Sequence, residues 1–218
     1  MKLIVFEGLD GSGKTTLIHL LKEALTQAYQ QKVTIVRGLG DSVIGSQLRG
    51  MFLYQEKLTP LTRMWLSFAN MQETQAEYLQ PLNSQRNQIV FLDRWVASTY
   101  AYQIWGYQLK WSYTAFDQLQ KNVFYQPDLT FYLDLPPQIG LVRKQKTASK
   151  ERDFFEKQGL PYLEQVQKGY RNFLTQEENV KSYNALLPPR LLLTKILDFL
   201  EGRDFITPKT KVTPKKGG

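Results

Sequence analysis

The segment Gly8-Leu9-Asp10-Gly11-Ser12-Gly13-Lys14-Thr15 has the residue types and spacing, G-x-x-x-x-G-K-[ST], of a loop that cradles phosphates. Glycines let backbone N–H groups converge on phosphate oxygens, and the helix N-terminus that must come next adds partial positive charge. Gly8, Gly11, Ser12, Gly13, Lys14, Thr15 and Thr16 are therefore the expected contacts to a nucleoside triphosphate. Lys14 would reach its β- and γ-phosphates, and the Thr15 hydroxyl would hold Mg²⁺. The competing reading, a chance glycine-rich turn, is opposed by the flanks. An apolar run at 3–6 precedes the loop, and leucines at helical spacing succeed it. A second group stands at Asp93-Arg94-Trp95, directly after the apolar run 89–92. An acid at a strand's carboxyl end lies where ligands of parallel α/β sheets bind, so Asp93 is a candidate to organise Mg²⁺. Arg94 can offer a phosphate its guanidinium fork. A strand-end acid paired with a surface arginine is the alternative.

The elements that must position these groups alternate along the chain. Strands are expected at 3–6, 33–36, 89–92 and 129–133, each nearly continuously apolar as strands buried on both faces are, with a weaker fifth at 179–183. Helical patterns fill 15–30, 42–52, 60–81, 115–122, 137–146, 159–177 and 187–200. Strand–helix alternation predicts βαβ units and a parallel sheet. The fold class is α/β: a P-loop domain with a five-stranded, mostly parallel sheet and helices on both faces, spanning 1–206.

At 218 residues the chain can bury one good core. It contains no cysteine and one histidine, which excludes disulfides, thiolate metal sites and a histidine cluster for zinc. No apolar run approaches a membrane span, and the first residues lack a leader pattern, so a cytoplasmic protein without membrane association is expected. The net charge of +8 suggests nucleic acid only until it is dissected. Subtracting the four lysines of residues 208–218 leaves +4. Residues 207–218 read as a basic, disordered tail, and nucleic-acid binding through it is the weakest option. Much of the remaining excess sits in Arg143-Lys144-Gln145-Lys146 and on to Lys150 and Arg152, either a solvated face or a phosphate-facing lid.

The run Phe6 to Thr16 resembles the opening of the thymidylate kinases. Asp93-Arg94-Trp95 with Ser98-Thr99-Tyr100-Ala101-Tyr102-Gln103 is similar to that family's Asp-Arg-aromatic motif and the segment downstream of it. Leu133-Asp134-Leu135-Pro136, then Asp153-Phe154-Phe155-Glu156 and Tyr170, match its strand, lid and returning helix, so the resemblance covers about residues 1 to 200. It implies transfer of the ATP γ-phosphoryl group to a nucleoside monophosphate, dTMP first, with Mg²⁺ as cofactor and a homodimer as assembly. It further implies that Arg94 bridges donor and acceptor phosphates and that Asp10 lies near the acceptor sugar. Gly11 stands where some members carry an arginine, so the lid, about 143–155, would supply the catalytic arginines, Arg143 and Arg152. Arg37 and Arg49 would serve the acceptor phosphate, and Phe68, Thr99 and Gln103 the base. For Phe68 the alternative is a core aromatic.

Two departures bear on the acceptor. Arg37-Gly38-Leu39-Gly40-Asp41 stands where the family shows Arg-Glu-Pro-Gly, and Met71 stands where it carries a base-reading arginine. Methionine donates no hydrogen bond, so Gln72 or Gln75 would have to compensate. Two other readings stay open. One is a kinase for another deoxynucleotide or for a deoxynucleoside, motivated by Met71 and Gly38-Leu39; Glu7, Arg37, Arg49 and Arg94 tilt the balance toward a monophosphate acceptor. The other is an ATP-binding paralogue without catalysis.

Overall fold

The computed structural model describes residues 1–85, 87–109, 113–147 and 153–207. Arg152 and Lys150 of the expected lid, and residues 208–218 of the tail, lie outside the described residues.

The strands are β1 (Lys2–Glu7), β2 (Lys32–Arg37), β3 (Gln88–Asp93), β4 (Leu129–Asp134) and β5 (Val180–Asn184). They form one sheet in the order β2-β3-β1-β4-β5, every neighbouring pair parallel. The helices are α1 (Lys14–Ala28), α2 (Gly45–Tyr54), α3 (Pro60–Thr74), α4 (Gln80–Asn83), α5 (Val96–Thr99), α6 (Tyr113–Asn122), α7 (Pro137–Thr147), α8 (Phe154–Lys157), α9 (Gly159–Leu174) and α10 (Pro189–Gly202). Two π-helical stretches, Gln75–Leu79 and Tyr100–Trp105, continue α3 and α5.

Alternation along the strands builds two cores. Ile4, Phe6, Ile89, Phe91, Phe131 and Leu133 face α1 and α10, whose Leu17, Leu21, Leu25, Leu192, Ile196 and Leu200 are buried against them. Leu3, Val5, Val90 and Leu92 point to the opposite face, against Met64, Phe68 and Met71 of α3 and Phe116 of α6. Helices therefore cover both faces of a parallel sheet, as the sequence pattern implies.

All five strands fall where expected, the weak fifth included. Two helical expectations change, and α5 and α8 lie outside the expected helices. The 42–52 helix begins at Gly45, because Ser42 O accepts from Gly45 N at 2.8 Å and closes a turn first. The 60–81 helix runs through a π-helical stretch, where the extra residue shifts the face presented to the core. α5 and its π continuation escape the periodic pattern because every residue from 96 to 104 is buried, which leaves no polar face to mark a helix.

Chain order reverses at β1, which pairs with β3 on one side and β4 on the other. The crevice beyond the carboxyl ends of these strands is the binding position of doubly wound sheets. At its edge β3 ends in a sharp bend: Arg94 has φ +71°, and its N–H donates to Phe6 O at 3.0 Å. β2 continues beneath this bend, with Gly38 N donating to Asp93 O at 3.1 Å. A Cβ at Gly38 would stand 1.9 Å from Arg94 O, so only glycine allows the approach.

Gly38→Ala should therefore lower the unfolding free energy by about 1–3 kcal/mol in urea titration. Gly50→Ala in α2, where an added Cβ meets nothing within 4 Å, should be neutral or stabilising by up to about 1 kcal/mol. Equal stability of the two variants would contradict the packing described.

Candidate active site

β1 delivers its chain into the glycine-rich loop, and α1 leaves from Gly13, which holds the left-handed conformation at φ +87°. Gly11 also has positive φ, and a Cβ there would meet Gly140 O at 2.7 Å. No side chain, an arginine included, fits on this backbone at position 11. Ser12 Oγ is buried without a hydrogen-bond partner inside the loop. Lys14 Nζ donates to Gly8 O and Leu9 O at 3.0 and 3.1 Å, so the ammonium spans the loop it must serve. Burial, and next the charge of Arg94, push the Lys14 pKa down to about 8.

Thr15 Oγ1 donates to Asp93 Oδ2 at 2.9 Å, which joins the start of α1 to the end of β3. These hard oxygen donors, beside a phosphate loop, suit Mg²⁺, which favours oxygen ligands and shares them with substrate phosphates. Thr16 is next on α1, exposed.

Arg94 is the centre of the network. Its guanidinium donates to Gly8 O (3.0 Å), Ser98 Oγ (3.2 Å), Tyr170 Oη (2.8 Å) and Asp10 Oδ1 (2.5 Å). Burial alone would lower its pKa, but the oxygens of Tyr170 and Asp10 hold it well above the usual value. Burial would likewise raise Asp10, and Arg94, Lys14 and Lys144 outweigh it, so the Asp10 carboxyl lies well below the carboxylate range.

Behind Arg94, the wholly buried Glu7 accepts from Trp95 N (2.7 Å), Ser98 N (3.2 Å), Ser98 Oγ (2.5 Å) and Tyr170 Oη (3.2 Å). Burial raises its pKa despite these donors. Its oxygens face the first turn of α5, whose N–H groups they satisfy. Glu7 is therefore a structural carboxylate rather than a base open to substrate.

Asp10, Lys14, Thr15, Arg37, Arg49, Asp93 and Arg94 line one cleft of about 570 Å³. Arg49 donates to Leu39 O at 2.9 Å, and Arg37 pairs with Asp41 at 2.8 Å. A side cavity shares Asp10, Arg49 and Arg94 and adds Gln103, Tyr102, Phe52 and Phe155. Gln103 Nε2 is buried in this region without a partner. Arg143 donates to Gly11 O (3.1 Å) and Ala185 O (3.2 Å), which brings this lid arginine against the phosphate loop.

Three expected base contacts lie elsewhere. Phe68 packs among Trp65, Phe116 and Phe124 with ring centroids 5.7–5.9 Å apart; it faces the core and not the cleft. Met71 is fully buried and accepts from Thr99 Oγ1 through its sulfur, while Thr99 also bonds Ser67 Oγ at 3.0 Å. Both sit behind the cavity wall. Neither glutamine compensates, because Gln75 is committed to the backbone of Val123 and Tyr125 and Gln72 is exposed away from the cavity. Among the aromatic residues near the cavity, Tyr102 lines it, whereas Trp95 and Tyr100 are core.

Sequence reasoning passed over Ser98 and Tyr170, which hold Arg94, and Lys144, which lines the cleft beside Asp10. The signal for Lys144 was its place in the basic run. Ser98 and Tyr170 stand inside segments that carry the resemblance, but nothing local ties either to Arg94 or to the other, since 72 positions separate them.

Triphosphate binding should raise the Lys14 pKa, because phosphate charge favours the ammonium. Affinity for ATP should then be highest below pH 8 and fall above it, with proton uptake of up to about half a proton per site at pH 8. Calorimetry in buffers of different ionisation enthalpy measures this uptake; none at pH 8 would contradict a buried, partly neutral Lys14.

Comparison with known proteins agrees with this geometry. The family model for thymidylate kinase matches residues 6–196. A thymidylate kinase of Pelodictyon phaeoclathratiforme is 33% identical over 218 residues, covering 94% of this chain and 99% of that protein. One of Chlorobaculum parvum is 32% identical over 208 residues, covering 91% and 95%. One of Aster yellows witches'-broom phytoplasma is 31% identical over 201 residues, covering 91% and 94%. With a matched model over most of its length and relatives matched almost end to end, the chain belongs to the thymidylate kinase family.

Proposed function

We infer that the chain transfers the γ-phosphoryl group of ATP to dTMP, giving ADP and dTDP. The observation that carries the reading is Arg94, a part-buried guanidinium fixed between the phosphate loop at Gly8 and the carboxylate of Asp10. In this reading Lys14 and the loop N–H groups bind the donor phosphates, Arg37 and Arg49 draw in the acceptor phosphate, and Arg94 neutralises charge between the two. Arg143, with Arg152, adds positive charge as the lid closes. Mg²⁺, when bound near Thr15 and Asp93, supplies charge neutralisation on the donor phosphates. The attacking group is a phosphate oxygen that needs no deprotonation at neutral pH, so the committed state of Glu7 is no obstacle. Catalysis rests on alignment and on a preorganised field in a shielded cleft.

For the base, the buried and unpartnered Nε2 of Gln103 supports recognition by amide donation to a pyrimidine carbonyl. The buried Met71 favours a second reading, a changed preference among pyrimidine monophosphates, because the family's arginine is not replaced by another donor at that position.

Among the described residues no helix is long and apolar enough to cross a membrane. ATP and dTMP belong to the cell interior, which supports a cytoplasmic enzyme. Exposed Trp65 on α3 and exposed Met51 and Tyr54 on α2 support a homodimer through these helices. The domain reading stays as one kinase unit over 1–206 with a lid at about 143–155.

ADP release measured with ATP–Mg²⁺ against dTMP, dUMP, UMP, dCMP, dGMP, dAMP and thymidine tests the assignment. dTMP should dominate; turnover of another monophosphate alone would reassign the acceptor, and silence with ATP bound would refute the kinase. Arg94→Ala should lower kcat by about 10³-fold or more while the ATP Kd stays within a few-fold. Unchanged turnover would remove Arg94 from the mechanism.

A further inference from the structure

Glu7 separates the catalytic cleft from a second cavity of about 260 Å³. Among the described residues the two share no lining residue. Trp95 and Ala97 form part of its wall from the start of α5, and Phe173 closes it from the end of α9. Its charged lining groups are Glu7, Glu177 and Glu178, all carboxylates. The nearby Lys121 of α6 is engaged with Asp117 at 2.9 Å. Gln120, 2% exposed, also lines the cavity, and its Oε1 has no hydrogen-bond partner. A buried acceptor left unmade costs free energy that a ligand's N–H would recover. This chemistry rejects phosphates and carboxylates and favours a flat, nitrogen-rich molecule with N–H donors, which the partly buried Phe173 can contact through its ring.

We propose that this cavity is a second ligand site, for a flat nitrogen-rich molecule with N–H donors and no negative charge, coupled to phosphoryl transfer through Glu7. The coupling route is short. Glu7 accepts from Trp95 N, which belongs to the cavity wall, and from Ser98 and Tyr170, and these two accept from Arg94 at 3.2 and 2.8 Å. An occupant that shifts Trp95 or Glu7 shifts the seat of Arg94.

Benzamidine, a flat cation with a fork of N–H donors, is the probe. It is titrated into the ¹⁵N-labelled full chain with saturating dTMP present. A saturable shift is expected at the Trp95 indole N–H and the Gln120 side-chain amide. Affinity should weaken about tenfold in Gln120→Leu and in Glu177→Gln, the second a change at the mouth that leaves the fold intact. The kcat for dTMP should also change on saturation. Binding alone does not rest on the kinase reading, so the two ideas fail separately. The site is overturned by no saturable shift up to the solubility limit, by shifts centred on Asp10 and Arg94, or by unchanged affinity in both variants. Binding with an unchanged kcat overturns the coupling.

Discussion

Holding the part-buried Arg94 guanidinium is the constraint on which the rest of this structure depends. A cation drawn largely out of water is tolerable only when its donors are matched, and here they meet Gly8 O, Ser98 Oγ, Tyr170 Oη and Asp10. To reach those partners the chain must leave β3 through a left-handed residue, a conformation that costs free energy for any side chain but glycine. Parallel pairing of β1 with β3 sets the starting point, since Phe6 stands in register with Asp93. Gly38 clears space under the bend, and Glu7 anchors the adjoining turn of α5. The acidic Asp10 within a phosphate loop is explained by the same constraint: it balances Arg94 while the site waits for phosphate.

Much of this was legible in the sequence because it is written locally. The phosphate loop, the acid at the end of β3 and the neighbouring arginine are contiguous motifs, and strands buried on both faces announce themselves as apolar runs. The five strands and the cleft formed by Asp10, Lys14, Thr15, Arg37, Arg49, Asp93 and Arg94 result from those motifs once the sheet is parallel.

The illegible part depends on contacts distant in sequence or on which way a helix is turned. Phe68 and Met71 sit on α3, where a rotation of one residue's arc decides between cleft and core, and both turn to the core. Thr99 is held by Ser67 and Met71 for the same reason. α5 leaves no periodic trace because it is buried all round, and Tyr170 joins the Arg94 network from α9 only after the whole sheet has formed. The departure at Gly38 looked like a loss in the acceptor loop. In the fold it is a steric requirement of the catalytic bend.

Arg94 as the bridge between donor and acceptor phosphates is tested most directly by a crystal structure with a bisubstrate analogue, adenosine and thymidine joined by a polyphosphate chain. The guanidinium should contact the bridging phosphates, with its backbone still left-handed and Tyr170 and Ser98 still holding it from behind. A polyphosphate that runs from Lys14 to Arg37 and Arg49 without touching Arg94 would contradict that role.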